Sequence, residues 1–250
     1  MRTFSRYKSV TVDEENPYWI SFSDLMSALL VVFILAAVAL IIELTETQKK
    51  IEQDIEQLQN AERARRDILH EIRDELDKHD VKVVIADNDT VLRIPEATLT
   101  FESNSYQIPE DKQLREAISL IGTVLHQTIS KPFNTTDKSL LRFEYLDTIF
   151  IEGHTDSRPS LRTKGNWGLS SYRAISLWEF WDRTVTVSPT LAEMENAYGQ
   201  KLFSVSGYAA TRRIQLEEET PEQRRANRRL DIRFTVKRPS ISQLEDIIEK

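Results

Sequence analysis

Trp19-Ile20-Ser21-Phe22-Ser23-Asp24-Leu25-Met26-Ser27-Ala28 opens an apolar run that continues without a charge to Ile42. From Leu25 to Ile42 there are 18 residues, and Ser27 is the one hydroxyl among them. That length suffices for a membrane helix, and counted from Ile20 the segment spans roughly 35 Å at a rise of about 1.5 Å per residue. The run is too long for the core of a signal peptide, and Glu43-Leu44-Thr45-Glu46 follows it in place of a small-residue cleavage site, so it reads as a retained anchor. One acid, Asp24, lies about a turn inside the entry point. A carboxylate costs about 2.5–3.5 kcal/mol at the centre of a membrane helix and less near the headgroups, so its presence calls for a reason. Ser21, Asp24, Ser27 and Ala28 are spaced three and four apart and share one helix face. A face of small and polar residues packs against other helices in preference to lipid, where the acid can take up and release a cation. The competing reading is an N-terminal cap, in which Ser23 or Asp24 satisfies the first amides of the helix.

Outside this run the chain is polar. Of its 250 residues, 29% are charged and 40% hydrophobic, and its formal net charge of −7 argues against a nucleic-acid partner. There is no cysteine, which excludes disulfides and thiolate metal sites. Arg2, Arg6 and Lys8 precede the span while Lys49 and Lys50 follow it, a slight bias toward a cytoplasmic N-terminus. Tyr18 and Trp19 stand where interfacial aromatics belong.

From 43 to 79 the chain holds no Gly or Pro. Ile55, Glu62, Leu69 and Leu76 fall on one heptad seam position, and Ile51, Leu58, Arg65 and Ile72 on the other. This spacing predicts a coiled coil that pairs two copies of the chain; a solvated single-helix spacer is the alternative. The period then changes. Val81–Ile85 and Val91–Ile94 predict a hairpin turning at Asp87-Asn88-Asp89. A helix is expected from Pro109 to His126, with Leu114, Ile118, Ile121 and Leu125 on one face. Residues 130–143 read as loop, and Thr148–Gly153 as a buried strand. After a loop at 154–168 come a helix from Leu169 to about Arg183 and a short helix at Pro189–Ala197. Phe203–Gly207 and Leu230–Val236 read as strands, with a helical turn near Pro221–Ala226 between them, and 240–250 as a terminal helix. Alternating strands and helices predict an α/β or α+β sandwich, a mixed sheet with helices covering one face.

Four motifs occur in order: Ile151-Glu152-Gly153-His154-Thr155-Asp156-Ser157; Asn166-x-x-Leu169-Ser170-x-x-Arg173-Ala174; Val205-Ser206-Gly207-Tyr208; and Arg225-Ala226-Asn227-Arg228-Arg229-Leu230-Asp231-Ile232. Over roughly residues 91–236 this series resembles the OmpA-like peptidoglycan-binding domain shared by OmpA, Pal and MotB. The resemblance implies an exported domain that grips the diaminopimelate stem peptide of the cell wall. It assigns Asp156 to the ligand ammonium and Arg173 to its carboxylate, with Asn166, Leu169, Thr155, Arg228 and Asn104 as further pocket positions. The chemistry agrees, since a zwitterion needs a fixed anion and a planar cation. The alternative for Asp156 and Arg173 is a structural ion pair between them. Ala209 and Arg225 depart from the family, which often has Gly at both places, and the loop 157–165 is long and basic (Arg158, Arg162, Lys164).

Joined to the membrane segment, the series resembles MotB-type stator subunits, and more closely ZorB, the corresponding subunit of Zorya anti-phage defence systems. That resemblance implies a 1–18 cytoplasmic tail, a 19–43 transmembrane helix, a 44–80 coiled-coil linker, an 81–238 OmpA-like domain and a 239–250 C-terminal tail or helix. It makes Asp24 the carrier of a transported proton or sodium ion, with no other cofactor. The implied partners are a ring of MotA-like (ZorA-like) subunits, a second copy of the chain, and peptidoglycan. The implied location is the bacterial inner membrane, with the C-terminal domain in the periplasm. A flagellar-type MotB stator subunit and a passive wall tether without ion transport are the competing readings. A wall hydrolase is disfavoured, because no paired catalytic carboxylates stand out, and no enzyme activity is expected. His154 reads as a structural strand-end residue, Arg224-Arg225-x-x-Arg228-Arg229 as a solvated or wall-facing patch, and Trp167, Trp178 and Trp181 as core or groove wall.

Overall fold

The computed structural model describes residues 17–133 and 140–238, so the expected terminal helix at 240–250 and most of the N-terminal tail lie outside the described residues. The chain divides into two compact units, Met1–Gln53 and Asp54–Lys250. A single helix, α1 (Pro17–Asp77), begins at a proline, which suits a first helical position, and meets no further Gly or Pro along its length.

In the first unit the apolar run of α1 is exposed along its whole length, and it is long and apolar enough to cross a membrane. Ser27 and Thr45 donate their hydroxyls to the carbonyls of Ser23 (2.8 Å) and Ile41 (2.7 Å), one turn back, which satisfies polar groups within an apolar stretch. Asp24 is exposed on the helix surface of the single chain.

In the second unit α1 is part of the core. Ala61, Ala64, Ile68, Leu69, Ile72 and Leu76 are all buried. Leu69, Ile72 and Leu76 were expected to face a second copy, yet they bury that side in the domain of their own chain, while Ile51, Ile55 and Leu58 stay exposed. A heptad row specifies an apolar face and does not say which chain covers it. Polar contacts fix the packing: Arg65 Nε donates to the Asp89 carbonyl (2.9 Å), and Glu71 accepts from Lys131 and from Arg142 (2.5 Å).

Five strands form one sheet in the order β1-β2-β5-β3-β4. They are β1 (Val84–Ala86), β2 (Val91–Pro95), β3 (Leu146–His154), β4 (Phe203–Gly207) and β5 (Arg229–Val236). Every pairing is antiparallel except β3 with β4, which are joined through a helix as parallel neighbours must be. The first hairpin turns where expected: Asp87, Asn88 and Asp89 take left-handed φ values of 53°, 54° and 55°, which Asn and Asp tolerate better than other side chains.

Among the described residues three further α-helices, α2 (Lys112–Ile129), α3 (Gly165–Thr184) and α4 (Pro221–Asn227), and a 3-10 turn at Arg142–Tyr145 accompany the sheet. Helix α2 starts after Asp111, not at Pro109, because the Asp111 carboxylate caps the Leu114 amide at 2.8 Å. Helix α3 begins four residues before the expected Leu169, after Lys164 in the left-handed region (φ 67°). It lies so close to the sheet that a β-carbon on Gly153 would come within 2.0 Å of the Ser170 carbonyl oxygen, and one on Gly207 within 2.2 Å of Ser171 Oγ. The expected helix at Pro189–Ala197 does not form. The Asn196 side chain instead accepts from the Tyr198 and Gln200 amides (2.9 and 3.0 Å) and donates to the Asp147 carbonyl (2.8 Å), so local side-chain bonds replace the helical ladder. Of Trp167, Trp178 and Trp181, read from the sequence as core or groove wall, Trp181 is fully buried and donates to the Ile118 carbonyl (2.8 Å), Trp178 stacks on Phe203, and Trp167 stands exposed.

Candidate ligand-binding site

Strand β3 ends at His154, and the chain runs through Thr155 and Asp156 into the loop that precedes α3. Backbone bonds from Tyr208 N to the Gly153 carbonyl and from Thr155 N to the Ala209 carbonyl, both 2.9 Å, hold this exit against the end of β4. The first turns of α3 bring Asn166, Leu169 and Arg173 to the same side, and the junction between α4 and β5 brings Arg228. All seven residues expected from the resemblance, Asn104, Thr155, Asp156, Asn166, Leu169, Arg173 and Arg228, line one cavity of about 430 Å³.

Asp156 is buried, and its Oδ2 accepts from Arg158 Nη2 (2.8 Å), Arg158 Nε (3.1 Å) and Arg228 Nη1 (2.6 Å). Burial pushes the carboxyl pKa up, but the hydrogen bonds from Arg158 and Arg228 outweigh it and hold the group below the usual carboxylate range. Arg228 is clamped from its other side by a two-pronged pair to Glu96 (2.6 and 2.7 Å), which keeps it firmly protonated.

Arg173 is only 6% exposed. Its Nε donates to the Ser105 carbonyl (2.8 Å) and its Nη2 to the Glu102 carbonyl (3.3 Å), with the guanidinium 5.0 Å from the centre of the Phe101 ring. Burial lowers its pKa to about 10, which still leaves a full cation at neutral pH. No ion pair joins Asp156 to Arg173 among the described residues; each is anchored elsewhere. The structural ion pair weighed from the sequence is therefore not what the fold makes. One anion and one planar cation border the same cavity unpaired with each other, an arrangement that can bracket a zwitterion.

The remaining members shape the walls. Asn166 Nδ2 donates to the carbonyls of Asp156 (3.2 Å) and Arg158 (2.9 Å), so it holds the loop backbone. Asn104 takes a left-handed φ of 57°, and its Oδ1 accepts from Ser160 Oγ (2.6 Å) and Leu161 N (3.2 Å). Leu169 gives a buried apolar wall. Thr155 is buried with its hydroxyl unpartnered among the described residues.

Two charged cavity residues were missed from the sequence. Glu96 lies far from Arg228 along the chain and carries no local signal. Arg158, two residues after Asp156 in a loop already marked as basic, had a signal in its spacing. The basic run near 224–229 is also not a uniform surface patch. Arg228 faces the cavity, and Arg229 is buried with its Nε 2.9 Å from Asp231 Oδ2.

Beneath the cavity, Glu152, His154 and Asp231 are all buried with their polar atoms within 4.8 Å of one another. The surroundings suit charge neutralisation better than a metal ion. Asp231 is bonded by Arg93 (3.0 Å) and Arg229, Glu152 is bonded by Arg233 (2.9 Å), and Arg212 approaches Glu152 at 3.8 Å. A dication there would face four guanidinium groups. Burial lowers the His154 pKa, so the ring is neutral, stacked against Tyr208 with 5.5 Å between centroids. His154 stands at the end of β3, the position read for it from the sequence, with both ring nitrogens buried and without a hydrogen-bond partner among the described residues.

No protein-family model matches the chain, and no curated protein matches it in sequence. Solved structures do. A protein described as MotB-like from Desulfovibrio vulgaris is 16% identical with a TM-score of 0.51, over 72% of this chain and 99% of that one. The periplasmic domain of Helicobacter pylori MotB (residues 78–256) is 20% identical with a TM-score of 0.48, over 67% and 90%. The cell wall anchor of the type VI secretion system from Pseudomonas aeruginosa is 20% identical with a TM-score of 0.46, over 69% and 99%. The likeness to the Desulfovibrio protein is one of fold; in this chain a long apolar helix comes first, followed by the mixed sheet with helices that the motif series led us to expect.

Proposed function

We propose that the chain is the wall-anchored, ion-conducting subunit of a proton- or sodium-driven MotA/MotB-like motor in the bacterial inner membrane, working in anti-phage defence of the Zorya kind. The observation that carries this reading is the cavity in which Asp156 and Arg173 stand unpaired with each other and the five accompanying residues line the same walls. A diaminopimelate stem peptide presents an ammonium and a carboxylate on one carbon, and the pair matches those two charges. The domain then faces the periplasm and grips peptidoglycan.

The other end of the reading rests on Asp24, which shares its helix face with Ser21, Ser27 and Ala28 on a segment able to cross the membrane. Two copies of that segment sit within a ring of MotA-like (ZorA-like) subunits. A cation docks on the carboxylate from the periplasmic side and leaves toward the cytoplasm. Each charge crossing 100 mV delivers about 2.3 kcal/mol, which alternates the charge at the ring contact and turns the ring about helices held still by the wall. The ion is cargo, and no resident cofactor takes part.

Phage protection measured with Asp24→Asn, Asp156→Ala and Arg173→Ala tests both ends, with membrane insertion checked in parallel. All three variants are expected to insert and to lose protection. Full protection by Asp24→Asn, with loss only in the two cavity variants, would leave a passive tether. Restored swimming in a stator-deficient strain would place the motor in motility instead.

A further inference from the structure

The loop between β3 and α3 folds back over the cavity and is fastened there. Ser160 Oγ and Leu161 N donate to Asn104 Oδ1, Arg162 Nε donates to the Asn104 carbonyl (2.5 Å), and the Arg162 guanidinium stands 5.2 Å from the centre of the Tyr106 ring. From the other side Asn166 holds the Arg158 carbonyl. Thus fastened, the loop delivers the Arg158 guanidinium to Asp156, where Nη2 and Nε both reach Oδ2. The two cations on Asp156 differ in kind. The Arg228 side chain is 19% exposed and locked by Glu96, whereas the Arg158 side chain is 63% exposed and, among the described residues, pairs with no other carboxylate. Arg228 is a fixed part of the cavity; Arg158 reaches in from solvent and can leave by rotating about its own side-chain bonds.

We propose that Arg158 is a built-in competitor for the ligand's ammonium group: it holds the cation position on Asp156 while the cavity is empty and is displaced when a stem peptide binds. The inference rests on the wall-binding reading above and adds a residue that sets its affinity and selectivity. A free amine exchanges one cation for another at Asp156, so the carboxylate stays neutralised throughout. An acylated amine brings no cation, so it cannot take the place of the guanidinium. Arg158 therefore weakens binding of the correct ligand and disfavours ligands without the amine.

Isothermal titration of the full-length chain in detergent micelles tests this, with a diaminopimelate-containing stem tripeptide and the same peptide acetylated on its free diaminopimelate amine. The wild-type chain is expected to bind the free-amine peptide, and Arg158→Gln to bind it roughly two- to fivefold tighter, the worth of a largely solvated ion pair. Arg158→Lys, which keeps a cation on the loop, is expected to stay near the wild-type Kd, and Asp156→Ala to lose binding. Equal or weaker binding by Arg158→Gln, with Asp156→Ala still inactive, would overturn the competitor role and leave the wall reading intact. Absence of binding by wild type and by Arg158→Gln alike would remove the wall reading and this inference with it.

Discussion

Replacing Asp231 with alanine removes the anion to which two arginines are tied. Its carboxylate is fully buried in β5 and accepts from Arg93 Nε (3.0 Å) and Arg229 Nε (2.9 Å). In its absence the buried Arg229 guanidinium keeps only the carbonyls of Arg212 (2.9 Å) and Asn227 (3.3 Å). Leaving one member of a buried pair unmatched costs about 3–5 kcal/mol, a large part of the roughly 5–15 kcal/mol that holds a domain folded. For a domain of this size that is a fall in Tm of about 6–20 °C. Because Arg228 directly precedes Arg229, loosening the start of β5 also moves the clamp on Asp156. Thermal unfolding followed by tryptophan fluorescence, to which the buried Trp181 contributes, reads the stability. The double variant Asp231→Ala with Arg229→Ala is expected to cost less than the two single changes together, by about 1–3 kcal/mol. A single-variant loss under about 1 kcal/mol, or strict additivity in the double, would refute the assignment of this cluster as a charge-neutralising layer.

Other outcomes follow from the same geometry. Gly153→Ala forces a β-carbon against the Ser170 carbonyl in the backbone of α3, so it is expected to destabilise by about 3 kcal/mol or more and to displace the helix that carries Arg173; an unchanged Tm would contradict the close approach. Ala209 holds a left-handed φ of 49°, so Ala209→Gly is expected to raise stability by about 1 kcal/mol in denaturant titration, and a loss would count against that strain. The carboxyls of Glu71, Glu152 and Asp156 are each raised by burial but held below their usual pKa by the arginine and lysine groups bonded to them and, at Glu152, by the neighbouring His154 ring. Their stabilisation is complete above the ordinary carboxylate values and is lost as pH falls through the depressed folded values. The lowered His154 pKa adds a loss that starts higher, as pH drops below about 6.5, where the unfolded chain binds a proton that the folded chain refuses. Glu71→Gln is expected to flatten the acid limb of a stability–pH curve, and an unaltered limb would show that Glu71 stays unpaired in solution.

The sequence revealed elements wherever one local signal sufficed. Three consecutive residues tolerant of positive φ placed the Asp87–Asp89 turn, and the apolar runs placed β3 and β4. It failed where the deciding contact is distant or where side chains compete with the backbone. Asn196 diverts the segment after Pro189 into a turn by bonding to Asp147, Tyr198 and Gln200, which no periodicity shows. The apolar row of α1 was visible, but the identity of its partner was not, since one chain's core and a second copy demand the same spacing. Of the cavity, the motif series supplied Asp156, Arg173, Arg228, Thr155, Asn166 and Leu169, and the wider resemblance added Asn104. What joins them came only from the fold: the Glu96 clamp on Arg228, the capture of Asp156 by Arg158, and the separation of Asp156 from Arg173.

Sedimentation of the full-length protein with purified sacculi rich in diaminopimelate is the most direct measurement of whether this cavity grips the wall. Wild-type chain is expected in the pellet, with Asp156→Ala and Arg173→Ala remaining in the supernatant while their unfolding curves show an intact domain. Wild-type protein left in the supernatant, or both variants pelleting as fully as wild type, would contradict the assignment.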